Sequence, residues 1–270
     1  MINIRLNAAL GGALTGLLLL VVALGFVWMP YDPIAIDLAH PLDPPSSAHW
    51  FGTDEFGRDV LSRAMLGARI SVAIALAVVV AAVGAGAFIG ALAGLLRGWV
   101  DRVVMGLSDA ILAFPGMLLA LALIAVMGAS RGSMVLALAI AYLPSVVRVV
   151  RGAVLSIRER EFVEASLVAG DSRLYTLFSH ILPNTLPPLV VLATSLFGWV
   201  VLSESALSFL GVGVPPPAPT WGNMLSAARP YMENGSWLSV VPGLCIAVTL
   251  LGINLLGDAL RDRLDPRREA

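Results

Sequence analysis

The chain has 270 residues, 58% of them hydrophobic and 13% charged, with a formal net charge of −1. The charged fraction is about half the roughly 25% of a soluble domain, and the mean hydropathy is +0.88, which excludes a water-soluble globule and marks an integral membrane protein. The charge balance suggests no nucleic-acid partner, and all 17 basic residues are arginine, so a P-loop lysine and a Schiff-base lysine are both excluded.

A spanning helix needs about 20 apolar residues. Leu6–Met29, behind Arg5, is the first candidate. It exceeds the apolar core of about 7–15 residues in a signal peptide and is read as a retained anchor. Pro30–Arg69 follows as an extracytoplasmic segment. In it Val60, Leu61, Ala64, Met65 and Ala68 recur at helical spacing opposite Arg58, Asp59 and Arg63, which predicts a short helix lying on the outer surface.

Ile70–Leu96 is uncharged over 27 residues. Within it and at its end Gly86, Gly90, Gly94 and Gly98 recur every fourth position, which predicts a close helix–helix contact. Met105–Met127 is the third candidate, with Asp109 near its start and Pro115 inside. Gly132–Val147, the fourth, offers only 16 uncharged residues and contains Pro144; snorkelling of Arg148 would lengthen it. Leu186–Leu210, which holds Glu204, and Leu238–Gly257 complete the series. Trp50, Phe51 and Trp221 are expected at headgroup level. Cys245 reads as a buried small residue. His40, His49 and His180 are too scattered to suggest a metal site, and neither HExxH nor CxxC occurs.

The expected fold is therefore an all-α integral membrane protein with six transmembrane helices: an N-terminal helix over 1–29, the outer segment over 30–69, a five-helix core over 70–258 and a tail over 259–270. Both termini then share one side. With that side cytoplasmic, twelve arginines fall inside and five (Arg58, Arg63, Arg69, Arg131 and Arg229) fall outside. The positive-inside bias favours this orientation. Asp109 and Asp258 lie near the inner ends and read as structural or interface groups.

That topology puts EFVEASLVAGDSRLYTLFSHILPN, Glu161 to Asn184, in the cytoplasm. Gly170 suits the left-handed conformation that ends many helices. Asp171 or Ser172 suits the N-cap of a second helix, and Pro183 is expected to limit it. The segment reads as a helical hairpin over 158–182. Phe162, Ala165 and Ala169 lie near one face of the first helix; Leu174, Leu177, Phe178 and Ile181 lie on one face of the second. Small residues at the turn leave room for a partner surface. From the residues alone, a hairpin packed on the chain's own helix ends is an equal alternative.

Glu164-Ala165-Ser166, Gly170 and Leu182-Pro183 resemble the EAA loop of permease subunits in ABC importers. That pattern is EAA, three residues, G, nine residues, I-x-L-P; here Ser166 takes the third position and His180 that of the isoleucine. HWFGTDEFGRDVLSRAMLGARISV, REREFVEAS, ALSFLGVGVPPPAPTWGNML and NLLGDALRDRLDP resemble the C-type permease of dipeptide, oligopeptide and nickel importers. The likeness covers most of the chain from about Tyr31 to Pro266.

The resemblance implies a type I importer permease in a bacterial-type inner membrane, forming half of a pathway for peptides, nickel or another small solute. It implies four kinds of partner: a homologous second permease, two ATP-binding subunits, an extracytoplasmic solute-binding protein and the lipid bilayer. ATP and Mg would sit on the ATP-binding subunits, with no cofactor in this chain. Glu164, Ala165, Ser166, Gly170, Leu182 and Pro183 would dock the ATPase.

Glu204 is an acidic residue well inside an expected span, where a carboxylate costs a few kcal/mol. It reads either as a pathway or permease-interface group, or as a structural carboxylate paired with arginine or capped by serine hydroxyls. A rival of another class is an ion-coupled secondary transporter using Glu204 as its proton site; no convincing internal repeat supports it. A membrane enzyme fares worst, because no nucleophile–base pair or metal cluster emerges.

Overall fold

In this computed structural model the described residues run from 2 to 264, without the side chains of residues 2–5, 167, 173 and 174. The side chains of Arg5 and Leu174, together with Arg267, Arg268 and the last residues of the tail, therefore lie outside them. The described chain is all-helical with one isolated bridge, Thr53 to Asp59. Its helices are α1 (Ile2–Val27), α2 (Val60–Leu96), α3 (Gly98–Leu112), α4 (Gly116–Met127), α5 (Arg131–Ile157), α6 (Glu161–Val168), α7 (Arg173–Thr176), α8 (Leu182–Phe209), α9 (Trp221–Ala228) and α10 (Trp237–Leu264).

Among the described residues five helical runs are long and apolar enough to cross a membrane: Leu6–Val27, α2, α5, Leu177–Phe209 and α10. The third expected span, Met105–Met127, exists only as the pair α3 and α4, bent by 88°. Pro115 accounts for the break. It supplies no backbone N–H and disfavours the helical conformation at Phe114. It adopts ψ 121 and becomes the N-cap of α4. The fourth span, short by hydropathy, is a full 27-residue helix. Its length was masked by Arg148 and Arg151, which pair with Asp109 and Asp101 of α3. Asp109 is thus a structural partner, 2.5 Å from Arg148.

The surface helix expected over Arg58–Arg69 is not a separate element. Its residues form the first turns of α2, whose 37 residues extend about 56 Å at 1.5 Å each. Asp59 starts it by accepting the Ser62 N–H at 2.8 Å. Arg63, expected on a solvent face, is buried: Nη1 donates to the Pro33 carbonyl (3.2 Å) and Nε pairs with Asp54 (3.1 Å). The segment between α1 and α2 folds over this polar face and covers it. Trp50 and Phe51 are exposed, but Trp221 is only 1% exposed and donates Nε1–H to the Ala64 carbonyl. It packs α9 on α2 instead of marking a headgroup level.

The core lies between α2 and α5. A Cβ at Gly86 would sit 2.6 Å from Val146 Cβ, at Gly90 2.6 Å from the Val147 carbonyl, and at Gly94 2.8 Å from Val154 Cγ1. Only hydrogen fits there, so the expected small-residue face is the contact that lets the two backbones meet. Gly98 is not part of it; at φ +63 it begins α3 with no neighbour within 4 Å of a Cβ. On the far side α1 packs along α10, with Gly11 against Leu256 and Gly252 against Leu14 and Thr15.

Candidate functional site

At one end of the bundle the chain leaves α5 and turns through α6 and α7. Gly170 has φ +96, a backbone conformation that residues with a side chain rarely adopt. The Asp171 N–H returns to the Ser166 carbonyl at 3.2 Å, closing the helix in a glycine-dependent stop. The Ser172 hydroxyl then accepts the Tyr175 N–H at 3.2 Å and caps the next helix, so of the two candidate caps it is Ser172 that serves. Asp171 instead accepts from Ser166 Oγ at 2.7 Å.

The second limb does not stop at Pro183. Leu177–Ile181 is a π-helical turn, and the Leu182 N–H reaches back to the Leu177 carbonyl. A π-turn widens the ladder by one residue and accommodates a proline that would otherwise break it. The Asn184 amide donates to the His180 carbonyl at 2.7 Å. Helical backbone therefore runs from Arg173 to Phe209. No loop separates α7 from α8.

The hairpin has two faces. Val163, Ser166, Thr176, Leu177 and Ile181 are buried toward the bundle. Arg158 Nη1 donates to the Gly94 and Leu95 carbonyls at 3.0 and 3.2 Å, where a cation suits the C-terminus of α2. The Arg97–Glu159 pair adds an exposed contact at 2.8 Å. The other face carries Glu164, Ala165, Ala169 and Gly170, all exposed, with Phe162, Tyr175, Phe178 and Val168, the last 89% exposed. His180 meets Phe162 and Tyr175 edge-on, tying the limbs together.

Of the residues expected to dock a partner, Glu164, Ala165, Gly170 and Pro183 lie on the surface, and Leu182 is half-buried. Ser166 points inward, where its hydroxyl joins Asp171 and Thr176. Val168 and Tyr175, exposed on the same face, were not singled out by the sequence pattern.

At the opposite end of α8, Glu204 is 0% exposed. Its carboxylate oxygens accept from Ser71 Oγ of α2 at 3.1 Å and from Ser208 Oγ at 2.8 Å. The Trp221 N–H, first in α9, donates to Ser71 Oγ at 3.4 Å, and a Cβ at Gly222 would be 2.6 Å from Ser208 Cβ. Three helices thus close around one acid. Ser208 could be foreseen, one turn after Glu204; Ser71 could not, since it is 133 residues away in the chain.

The family described as "Binding-protein-dependent transport system inner membrane component" matches residues 86–270. The glutathione transport system permease protein GsiD of Escherichia coli O6:K15:H31 (strain 536 / UPEC) is 42% identical over 265 residues, covering 97% of this chain and 88% of the relative. GsiD of Shigella flexneri serotype 5b (strain 8401) is 44% identical over the same shares. With bundle, hairpin and family signature agreeing, the chain belongs to the binding-protein-dependent transport system inner membrane components, the multi-pass ABC importer permeases.

Proposed function

We propose that this permease forms half of the pathway of an ATP-driven importer for small peptides, and that the 158–182 hairpin couples it to the ATPase. Its partners would be a second permease, two ATP-binding subunits that carry ATP and Mg, and a solute-binding protein. The termini and the hairpin would face the cytoplasm. The peptide class rests on the GsiD relatives, whose names assign them to glutathione transport.

One observation carries the coupling role: an exposed apolar face on a hairpin whose second limb is continuous with a spanning helix. A valine at 89% exposure is an unfavourable solvent contact that a partner surface would remove. ATP-driven closure of the ATPase pair would displace α6 and α7, and α8 would carry the shift toward the far end. From Leu182 to Glu204 is about 33 Å at 1.5 Å per residue, enough to cross the roughly 30 Å hydrocarbon core. Such a switch needs contacts that differ between its two states.

Glu204 is enclosed by its own chain, which supports the reading as a structural carboxylate capped by serines rather than a proton site open to a pathway. The test of coupling is Val168→Asp in the assembled complex. A carboxylate in an apolar contact should reduce co-purification of the ATP-binding subunits and abolish uptake, with membrane levels unchanged. Normal co-purification and uptake would remove the hairpin from the docking surface. Uptake of labelled glutathione and dipeptides by the reconstituted complex tests the cargo class.

A further inference from the structure

A cleft of about 350 Å³ opens between α1, α2 and α5 at the end opposite the hairpin. Its walls are apolar, with Ile70, Ala73, Ile74 and Ala77 along α2, and two arginines line it, Arg69 and Arg131, with no carboxylate among the lining residues. Arg69 is held from behind: Nη1 donates to the Gly25 carbonyl at 2.6 Å and the guanidinium lies 3.7 Å over the Phe26 ring. Its Nε–H is buried and has no acceptor among the described residues. Arg131, the first residue of α5, is exposed, and its side chain makes no hydrogen bond or ion pair among the described residues.

Two guanidinium groups beside an apolar trough complement an anionic headgroup joined to a hydrocarbon tail. The dimensions agree. Arg69 to Ala77 spans about 12 Å of helix at 1.5 Å per residue, most of the roughly 15 Å that one leaflet contributes to a 30 Å core. Arg131 opens α5, and Arg69, ten residues into α2, is bonded to Gly25 close to the end of α1, so the two guanidinium groups lie at the same end of the bundle. An inserted helix, about 10 Å across, would need several times this volume. We propose that the cleft binds an anionic phospholipid of the leaflet opposite the hairpin, its phosphate on Arg69 and Arg131 and one acyl chain along Ile70–Ala77. By occupying the seam where Arg69 ties α1 to α2, the lipid would hold the anchor helix against the core.

The test uses the full importer complex in phosphatidylcholine nanodiscs containing a minority of phosphatidylglycerol, with retained lipid read by native mass spectrometry. It needs neither ATP nor cargo, so it stands or falls independently of the coupling reading. Wild type should retain phosphatidylglycerol against excess inorganic phosphate. Arg131→Gln should weaken retention about tenfold, the loss of one charge-assisted contact. Ala73→Trp, which fills the trough and spares both arginines, should do the same. Unchanged retention in either variant overturns the proposal, as does displacement by inorganic phosphate alone. High-yield crosslinking of Arg131→Cys to the second permease would also overturn it, by giving the cleft to a protein partner.

Discussion

Gly170 sets the turn between α6 and α7, and Glu204 anchors the far end of α8. At Gly170 the constraint is backbone rather than space: φ is +96, and a Cβ would meet nothing within 4 Å. A β-branched residue there should cost about 1–3 kcal/mol of local strain and distort the turn. We expect Gly170→Val to insert normally, hydrolyse ATP in the complex and transport poorly; Gly170→Asn, which tolerates positive φ, should be milder. The ratio of solute moved to ATP consumed is the readout, and an unchanged ratio in the valine variant would falsify a coupling role for this turn. At Glu204 the constraint is hydrogen bonding. Glu204→Ala strands the hydroxyls of Ser71 and Ser208 and should cost about 1–3 kcal/mol. Glu204→Gln keeps an acceptor and should lose much less. Thermal unfolding of the detergent-solubilised chain separates them; equal melting temperatures for the two variants would count against a structural carboxylate.

Among the elements, the α2–α5 contact carries the bundle and the α7–α8 continuity carries the proposed motion. Gly90 meets the Val147 carbonyl backbone directly, 2.6 Å from an added Cβ, so no side chain can rotate out of the way. Gly90→Leu should separate the helices and leave the chain sensitive to protease, while Gly106→Leu, where a Cβ meets nothing within 4 Å, should be tolerated. Limited proteolysis in membranes makes the comparison. The spans were legible because apolar length is a one-dimensional property, and the glycine spacing showed which face of α2 packs. The bend at Pro115 was visible only as a proline inside a run. Its outcome depended on Asp101 and Asp109 finding Arg151 and Arg148, a pairing that holds α3 against α5. The π-turn before Pro183 was not legible, because it is a compromise between a proline and the tertiary contacts of Leu177 and Ile181.

For the whole molecule, polarity is segregated between the two ends. One end carries the hairpin with Arg97, Arg158 and Glu159; the other carries the ordered segment with Asp54, Arg58, Asp59 and Arg63, much of it buried. A mobile loop would not bury a tryptophan contact, yet Trp237 Nε1 donates to the Thr53 carbonyl at 3.1 Å. With the arginine-rich end inside, a cysteine at Val168 should react with membrane-impermeant thiol reagents only in inverted vesicles, and one at Trp50 only in right-side-out preparations. The exposure of both side chains makes the assay clean. Reversed labelling would invert the topology and remove the hairpin from the ATPase side.

By itself the sequence determined the solvent and the ladder. Its apolar runs dictate helices in lipid, since every backbone N–H needs an internal acceptor there. Its turn glycine and the Asp171–Ser172 pair after it dictate a hairpin, and its motifs dictate the family. Tertiary structure alone decided that Arg63 and Trp221 are interior, that Ser71 reaches Glu204, and that Ser166 faces inward while Val168 faces out. The reason is distance along the chain. Helix formation and capping act over a few residues and leave periodic traces, whereas a buried polar contact joins residues far apart and leaves none until the helices meet.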